Sequence, residues 1–162
     1  MESHSLNLFI VDDNKSMVTA LKHYLTNMFG KSVNISTFYT GASCLEKIDK
    51  NTDVVILDYF LNDENGNEVL KLIKKRNPKT EVIMLSSNED VSTAVEALNI
   101  GARDYVVKNN SAWRTVSGLI NTIITEPLRK MVREFGVPKF MLIFFATFTI
   151  MGIVVYLVLQ QF

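Results

Sequence analysis

The sequence predicts a doubly wound α/β domain built on a parallel sheet, followed by a helix of a different kind. Three observations predict it. Five short apolar runs alternate with stretches of helical period, the pattern of strands buried on both faces by helices. Four of those runs end in an acidic, hydroxyl or basic residue. The chain then closes on Phe140–Leu159, which carries no charge.

The elements follow in order. Leu6–Val11 is the first strand and runs into Asp12 and Asp13. Asn14 can cap a helix over Lys15–Phe29, where Met17, Val18, Leu21, Leu25 and Met28 share a face. Val33–Phe38 is the second strand and ends without a charged group. Ala42–Lys50 is a short helix with Leu45 and Ile48 inward and Cys44 as a small buried hydrophobe. Val54–Leu57 runs into Asp58. Glu64–Arg76 is a helix carrying Val69, Leu70, Leu72 and Ile73, closed by Pro78. Val82–Leu85 runs into Ser86 and Ser87. Val91–Ile100 places Val91, Ala94, Val95 and Leu98 at helical spacing, with Gly101 as its stop. Tyr105–Val107 runs into Lys108, and Ser111–Thr125 carries Trp113, Val116, Ile120, Ile123 and Ile124.

If the runs are parallel strands, three carboxylates, a hydroxyl and an ammonium gather beyond their carboxyl ends. That edge is where open α/β sheets bind ligands. Such a group suits a divalent cation together with an anionic oxygen group such as a phosphoryl. Taken singly the residues say less: adjacent Asp residues after a strand can merely cap a helix, and a lone Lys can be solvated surface.

Composition narrows the classes. The 162 residues have zero formal net charge, but residues 1–125 hold 13 Lys and Arg against 15 Asp and Glu. A slightly acidic body does not suggest nucleic-acid binding, which uses a basic stripe. Cys44 is the only cysteine, so no intrachain disulfide forms. Met1–Asn14 lacks the basic and apolar regions of a signal peptide, so the body is expected to stay on the side where it is made.

Over roughly residues 5–125 the chain resembles the receiver domain of two-component response regulators. The resemblance rests on Asp12-Asp13, Asp58, Gly66, Ser86-Ser87, the run Ala97 to Tyr105, and Lys108, each in order and on the matching strand end. It implies a (βα)5 sheet of strand order 2-1-3-4-5. It implies that Asp58 is the phosphoacceptor, forming an acyl phosphate. Asp12, Asp13, Asp58 and the backbone carbonyl of Phe60 would hold Mg²⁺, which takes octahedral oxygen coordination. Lys108 would pair with a phosphoryl oxygen. Ser86 and Tyr105 would form the switch that alters the surface of helix 4, strand 5 and helix 5, and Phe60 and Asn88 stand where the family tunes dephosphorylation. A histidine kinase or phosphotransfer protein is the implied donor. The protein would act as a phosphoacceptor and not as a metabolic enzyme.

Two positions depart from the family pattern. Asn109 replaces the usual proline after the lysine, whose peptide is cis; without proline a cis bond costs about 3–4 kcal/mol, so the loop is either trans or strained. Asn62 stands where proline often follows the phosphoacceptor.

Phe140–Leu159 is expected to span a bilayer, since 20 residues at about 1.5 Å each reach about 30 Å. Residues 126–139 read as an amphipathic linker, with Leu128, Met131, Val132 and Phe135 opposite Arg129, Lys130 and Arg133, and with Pro127, Gly136 and Pro138 as pivots. The basic residues, with Lys139, place the receiver in the cytoplasm. The expected protein is a membrane-anchored single-domain receiver whose output is contact with a membrane or cytoplasmic target. Two other readings stand beside it: a phosphorylation-independent membrane adaptor on the same fold, and a haloacid-dehalogenase-type phosphatase. The latter normally places a second Asp two residues after its nucleophile, where this chain has Asn14 after the adjacent pair.

Overall fold

The computed structural model describes residues 5–62, 64–135 and 137–159, with side chains for all of these except 127–140, Val155 and Leu159. Its strands are β1 Leu6–Val11, β2 Val33–Phe38, β3 Val54–Asp58, β4 Phe60–Leu61, β5 Glu64–Asn65, β6 Glu81–Ser86 and β7 Asp104–Val107. Its helices are α1 Lys15–Phe29, α2 Gly41–Lys47, α3 Gly66–Arg76, α4 Val91–Ile100, α5 Ala112–Phe135 and α6 Val137–Leu159. Residues up to Ile120 form one compact unit, and Asn121 onward a second.

The main sheet has the order β2-β1-β3-β6-β7, all parallel. This is the expected 2-1-3-4-5 order, with the small β4–β5 hairpin numbered in between. β3 is buried along its whole length, as a central parallel strand must be. Alternate residues face opposite sides. Val11, Val55, Leu57, Val82 and Met84 join Cys44 of α2, Val69, Leu70 and Ile73 of α3 and Ala97 of α4 in one core layer. Leu8, Ile10, Ile56, Ile83 and Leu85 are buried on the other side of the pleat. There α1 and α5 are tied by the Tyr24 and Trp113 rings, whose centroids are 5.4 Å apart.

Several elements differ from their sequence expectation, each for a local reason. α2 stops at Lys47 instead of Lys50, because the next residues fold into a side-chain turn in which Asp49 accepts from Asn51 and Thr52. Glu64 and Asn65 do not begin α3: they form β5, and Asn65 caps the helix by accepting from the Asn67 amide. Met28 and Leu72, expected on inward faces, are exposed. So are Val91 (73%), Val95 (49%) and Leu98 (46%) of α4, which buries Thr93 and Ala97 instead. That apolar stripe at i, i+4 and i+7 faces outward. α5 does not stop at Thr125 but runs through Pro127 to Phe135. A proline removes one intrahelical bond, and the helical run on both sides continues through it.

In α6, the stretch Met141–Val158 is 18 residues long, apolar enough to cross a membrane, and none of its described side chains is buried. The expected apolar and basic faces of residues 128–139 lie outside the described side chains, and the expected pivot at Gly136 outside the described residues.

Candidate phosphoryl-acceptor site

The strand register builds the site. Val11 lies beside Leu57, and Asp58 beside Leu85, so the residues just past β1 and at the end of β3 converge. Ser86 pairs with Val107, which sets Lys108 one residue beyond. The Lys108 amide donates to the Ser86 carbonyl at 2.7 Å and fixes the backbone from which the lysine side chain reaches back. Asp12, Asp13 and Asp58 then offer carboxylate oxygens that all lie within 4.8 Å of one another. Asp12 and Asp58 are buried and Asp13 is half-buried.

The Lys108 ammonium donates to Asp12 Oδ2 at 2.8 Å and to Asp58 Oδ2 at 2.7 Å. The other Asp12 oxygen accepts from the Asn14 amide at 2.8 Å, so Asp12 both lines the site and orders the start of α1. The other Asp58 oxygen accepts from the Phe60 amide at 3.3 Å. Burial pushes the Asp58 carboxyl above its ordinary range, and the neighbouring Asp12 charge adds to that, against the lowering pull of Lys108. Burial works to lower the Lys108 pKa, but its bonds to Asp12 and Asp58 outweigh this and raise it. The group therefore carries an excess of negative charge that one ammonium does not cancel.

Gly66 is needed where it stands. A Cβ there would fall 2.6 Å from the Asp58 carbonyl oxygen and 2.7 Å from Tyr59 Cα. The Gly66 amide also donates to the Tyr59 carbonyl at 2.8 Å. This contact lets α3 start directly against the Asp58 and Tyr59 backbone.

Ser86 is fully buried, and its hydroxyl accepts from the Asn88 amide at 3.0 Å. Tyr105 is half-buried, and its phenol donates to the Asn88 carbonyl at 2.9 Å. Burial raises the phenol pKa, with the Ser86 hydroxyl acting against it. Ser87 is exposed at the rim. Among the described residues no peptide is cis, so Lys108–Asn109 is trans. Asn62 has φ +38°, a left-handed conformation that proline cannot adopt.

One participant was not foreseen. Glu64, read as the first residue of a helix, accepts from the Gly41 and Ala42 amides at the start of α2. The signal was Asn62-Asp63, a turn dipeptide between Phe60-Leu61 and Glu64-Asn65.

Comparison with known proteins agrees with this geometry. The family model "Response regulator receiver domain" matches residues 8–117. The chain belongs to the response regulator receiver family. The transcriptional regulatory protein ZraR of Klebsiella oxytoca is 35% identical over 109 residues, covering 67% of this chain and 24% of that protein. The regulatory protein LuxO of Vibrio cholerae is 30% identical over 106 residues, covering 65% of this chain and 23% of that protein. The chain thus spans about a quarter of the length of these relatives. The receiver domain of a putative LuxO repressor from Vibrio parahaemolyticus superposes with a TM-score of 0.67 at 25% identity, covering 79% of this chain and 97% of that one. The beryllofluoride-activated DrrB receiver domain gives 0.66 at 27% identity, with 74% and 97% coverage.

Proposed function

We propose that this receiver accepts a phosphoryl group on Asp58 and reports it to a partner at a membrane surface, to which α6 anchors it. The observation that carries the reading is the Lys108 ammonium within 2.8 Å of both Asp12 and Asp58, with Asp13 close enough to share a cation.

Phosphoryl transfer to a carboxylate brings anions together, so neutralising charge is the main task. Asp58 attacks the phosphorus of the donor, a new C–O–P linkage forms, and the donor's own bond to phosphorus breaks. Lys108 turns from the carboxylate to a phosphoryl oxygen as a point charge. The Asp12, Asp13 and Asp58 carboxylates and the Phe60 carbonyl would hold Mg²⁺. The three acidic oxygens fit its preference for hard oxygen ligands. When bound, the ion neutralises the charge that the phosphoryl group brings in. Ser86 then offers its hydroxyl to the phosphoryl group and leaves the Asn88 amide, and Tyr105 follows. The donor is a histidine kinase or phosphotransfer protein.

The receiver occupies residues 1–125, residues 126–139 link it to the span, and residues 140–159 cross the bilayer with the receiver in the cytoplasm. The apolar stripe of α4 is an accessible place for the partner. The test is labelling of the full chain in detergent by acetyl phosphate. One phosphoryl group should be gained with Mg²⁺ and none without it, and Asp58→Asn should abolish the gain. Undiminished labelling of that variant overturns the assignment.

A further inference from the structure

Every hydrogen-bonding group of Asn88 is in use, and the four bonds run in two directions. On the strand side, its amide donates to Ser86 Oγ at 3.0 Å and its carbonyl accepts from Tyr105 Oη at 2.9 Å. On the helix side, its Oδ1 accepts from the Asp90 amide at 2.9 Å and its Nδ2 donates to Thr93 Oγ1 at 3.1 Å. Asp90 is the N-cap of α4, and its carboxylate accepts from the Ser92 amide and from the Ser92 and Thr93 hydroxyls.

The order of protons is fixed. The Thr93 hydroxyl gives its one hydrogen to Asp90, so it can only accept from Asn88, and the Asn88 amide group can sit only one way round. Thr93 is one of the two buried residues of α4, so the relay enters the helix on its inward side. We infer that Asn88 is the positioning residue that couples the Ser86–Tyr105 pair to the N-terminal turn of α4. Its backbone reads the pair and its side chain holds the cap. A shift of Ser86 or Tyr105 leaves an Asn88 backbone group without its partner. The loop must move to repair that loss, and the Asp90 cap moves with it. The helix so moved is the one that carries the exposed Val91, Val95 and Leu98. What drives Ser86 rests on the phosphoryl-acceptor reading above; the coupling itself does not.

The test is a double-mutant cycle on the full chain in detergent, without phosphoryl donor, read as hydrogen exchange over residues 91–97. Tyr105→Phe removes the phenol's bond to the Asn88 carbonyl, together with its interaction with the Ser86 hydroxyl. It should speed exchange in the parent about threefold or more, the size expected for one neutral hydrogen bond. In an Asn88→Ala background, where the backbone links remain and the side-chain links are cut, it should have no effect on α4. Thr93→Val, which cuts the far end of the relay, should abolish the effect equally and serves if Asn88→Ala does not fold. A residue that only braced the loop would raise exchange in its own variant and leave the Tyr105→Phe effect intact. That outcome, or no effect of Tyr105→Phe in the parent, overturns the proposal. Beryllofluoride with Mg²⁺ forms a second arm: it should alter α4 exchange in the parent and not in Asn88→Ala. Failure of the parent to bind beryllofluoride would count against the acceptor reading of Asp58, and the cycle would still decide the relay.

Discussion

Lys108 Nζ lies 2.7 Å from Asp58 Oδ2, so the ammonium engages the carboxylate proposed as the acceptor. It is also the only cation whose contacts with Asp12 and Asp58 are seen among the described residues. Lys108→Met would leave two buried carboxylates facing each other. Removing one partner of a buried pair costs about 3–5 kcal/mol, and the partial exposure of Lys108 puts this case near ~3 kcal/mol. Mg²⁺ should restore more stability to the variant than to the parent, because both cations neutralise the same charge. Urea unfolding with and without Mg²⁺ measures this; equal Mg²⁺ effects on the two proteins would show that lysine and cation do not share the site.

The raised Asp58 pKa has a sign for stability. A carboxyl that is harder to ionise in the folded chain favours folding while protonated. That advantage is full below the ordinary carboxylate range and is lost as pH rises through the folded value. Asp58→Asn removes the loss. Its melting temperature should exceed the parent's at neutral pH, and the gap should close as the pH falls into the ordinary carboxylate range. A gap that is constant with pH would mean that the ionisation of Asp58 is not the cause.

Gly66→Ala should damage the loop that follows Asp58. The atoms its Cβ would meet, at 2.6 and 2.7 Å, are backbone atoms of Asp58 and Tyr59, which cannot swing aside as a side chain can. A loss of about 2 kcal/mol or more is expected, in the range for steric strain in a packed site. Phosphoryl labelling should fall with it. Calorimetry and labelling of the same preparation check both.

Cys44 is fully buried in the α2–α3 core, and burial pushes its thiol up to about 12. The thiolate is the reactive form, so iodoacetamide at pH 8 should leave the folded protein unmodified. Modification should appear in urea, and its onset should track unfolding. Rapid labelling of native protein would contradict the burial.

The proposed membrane anchor can be tested with charge. Asp at the centre of a span costs about +2.5 to +3.5 kcal/mol on the insertion scale. Thr149→Asp with Gly152→Asp should therefore release the full chain to the soluble fraction, while a chain ended after Thr125 should be soluble and still accept phosphate. Aggregation of that truncated chain, or solubility of the parent without detergent, would show that α6 belongs elsewhere.

The strands were legible because a buried parallel strand advertises itself as an apolar run, with each chemical group at the end of one; their order came from the resemblance to the receiver family. Asp12, Asp13, Asp58, Ser86 and Lys108 converge for that reason. Periodicity served less well for α4, where Val91, Val95 and Leu98 have helical spacing yet face outward. An apolar stripe has the same spacing whether it meets the core or awaits a partner. Glu64 was misread because two residues are too short to show a strand period. The Asn88 bonds were invisible because three of its four partners are set by how the loop folds and the fourth, Tyr105, is 17 residues away.

The hairpin of Phe60–Leu61 and Glu64–Asn65 has a consequence for how this chain tolerates change in length. A hairpin tip is ordinarily the cheapest place to lengthen a protein. Here the residue leaving the tip is clasped to the start of α2 through Gly41 and Ala42, and two residues later Gly66 rests on the Asp58 and Tyr59 backbone. One added residue between Leu61 and Glu64 would have to be absorbed wholly at the tip, or it would shift both anchor points out of register. The hairpin that follows Asp58 is therefore one whose spacing is set from both sides.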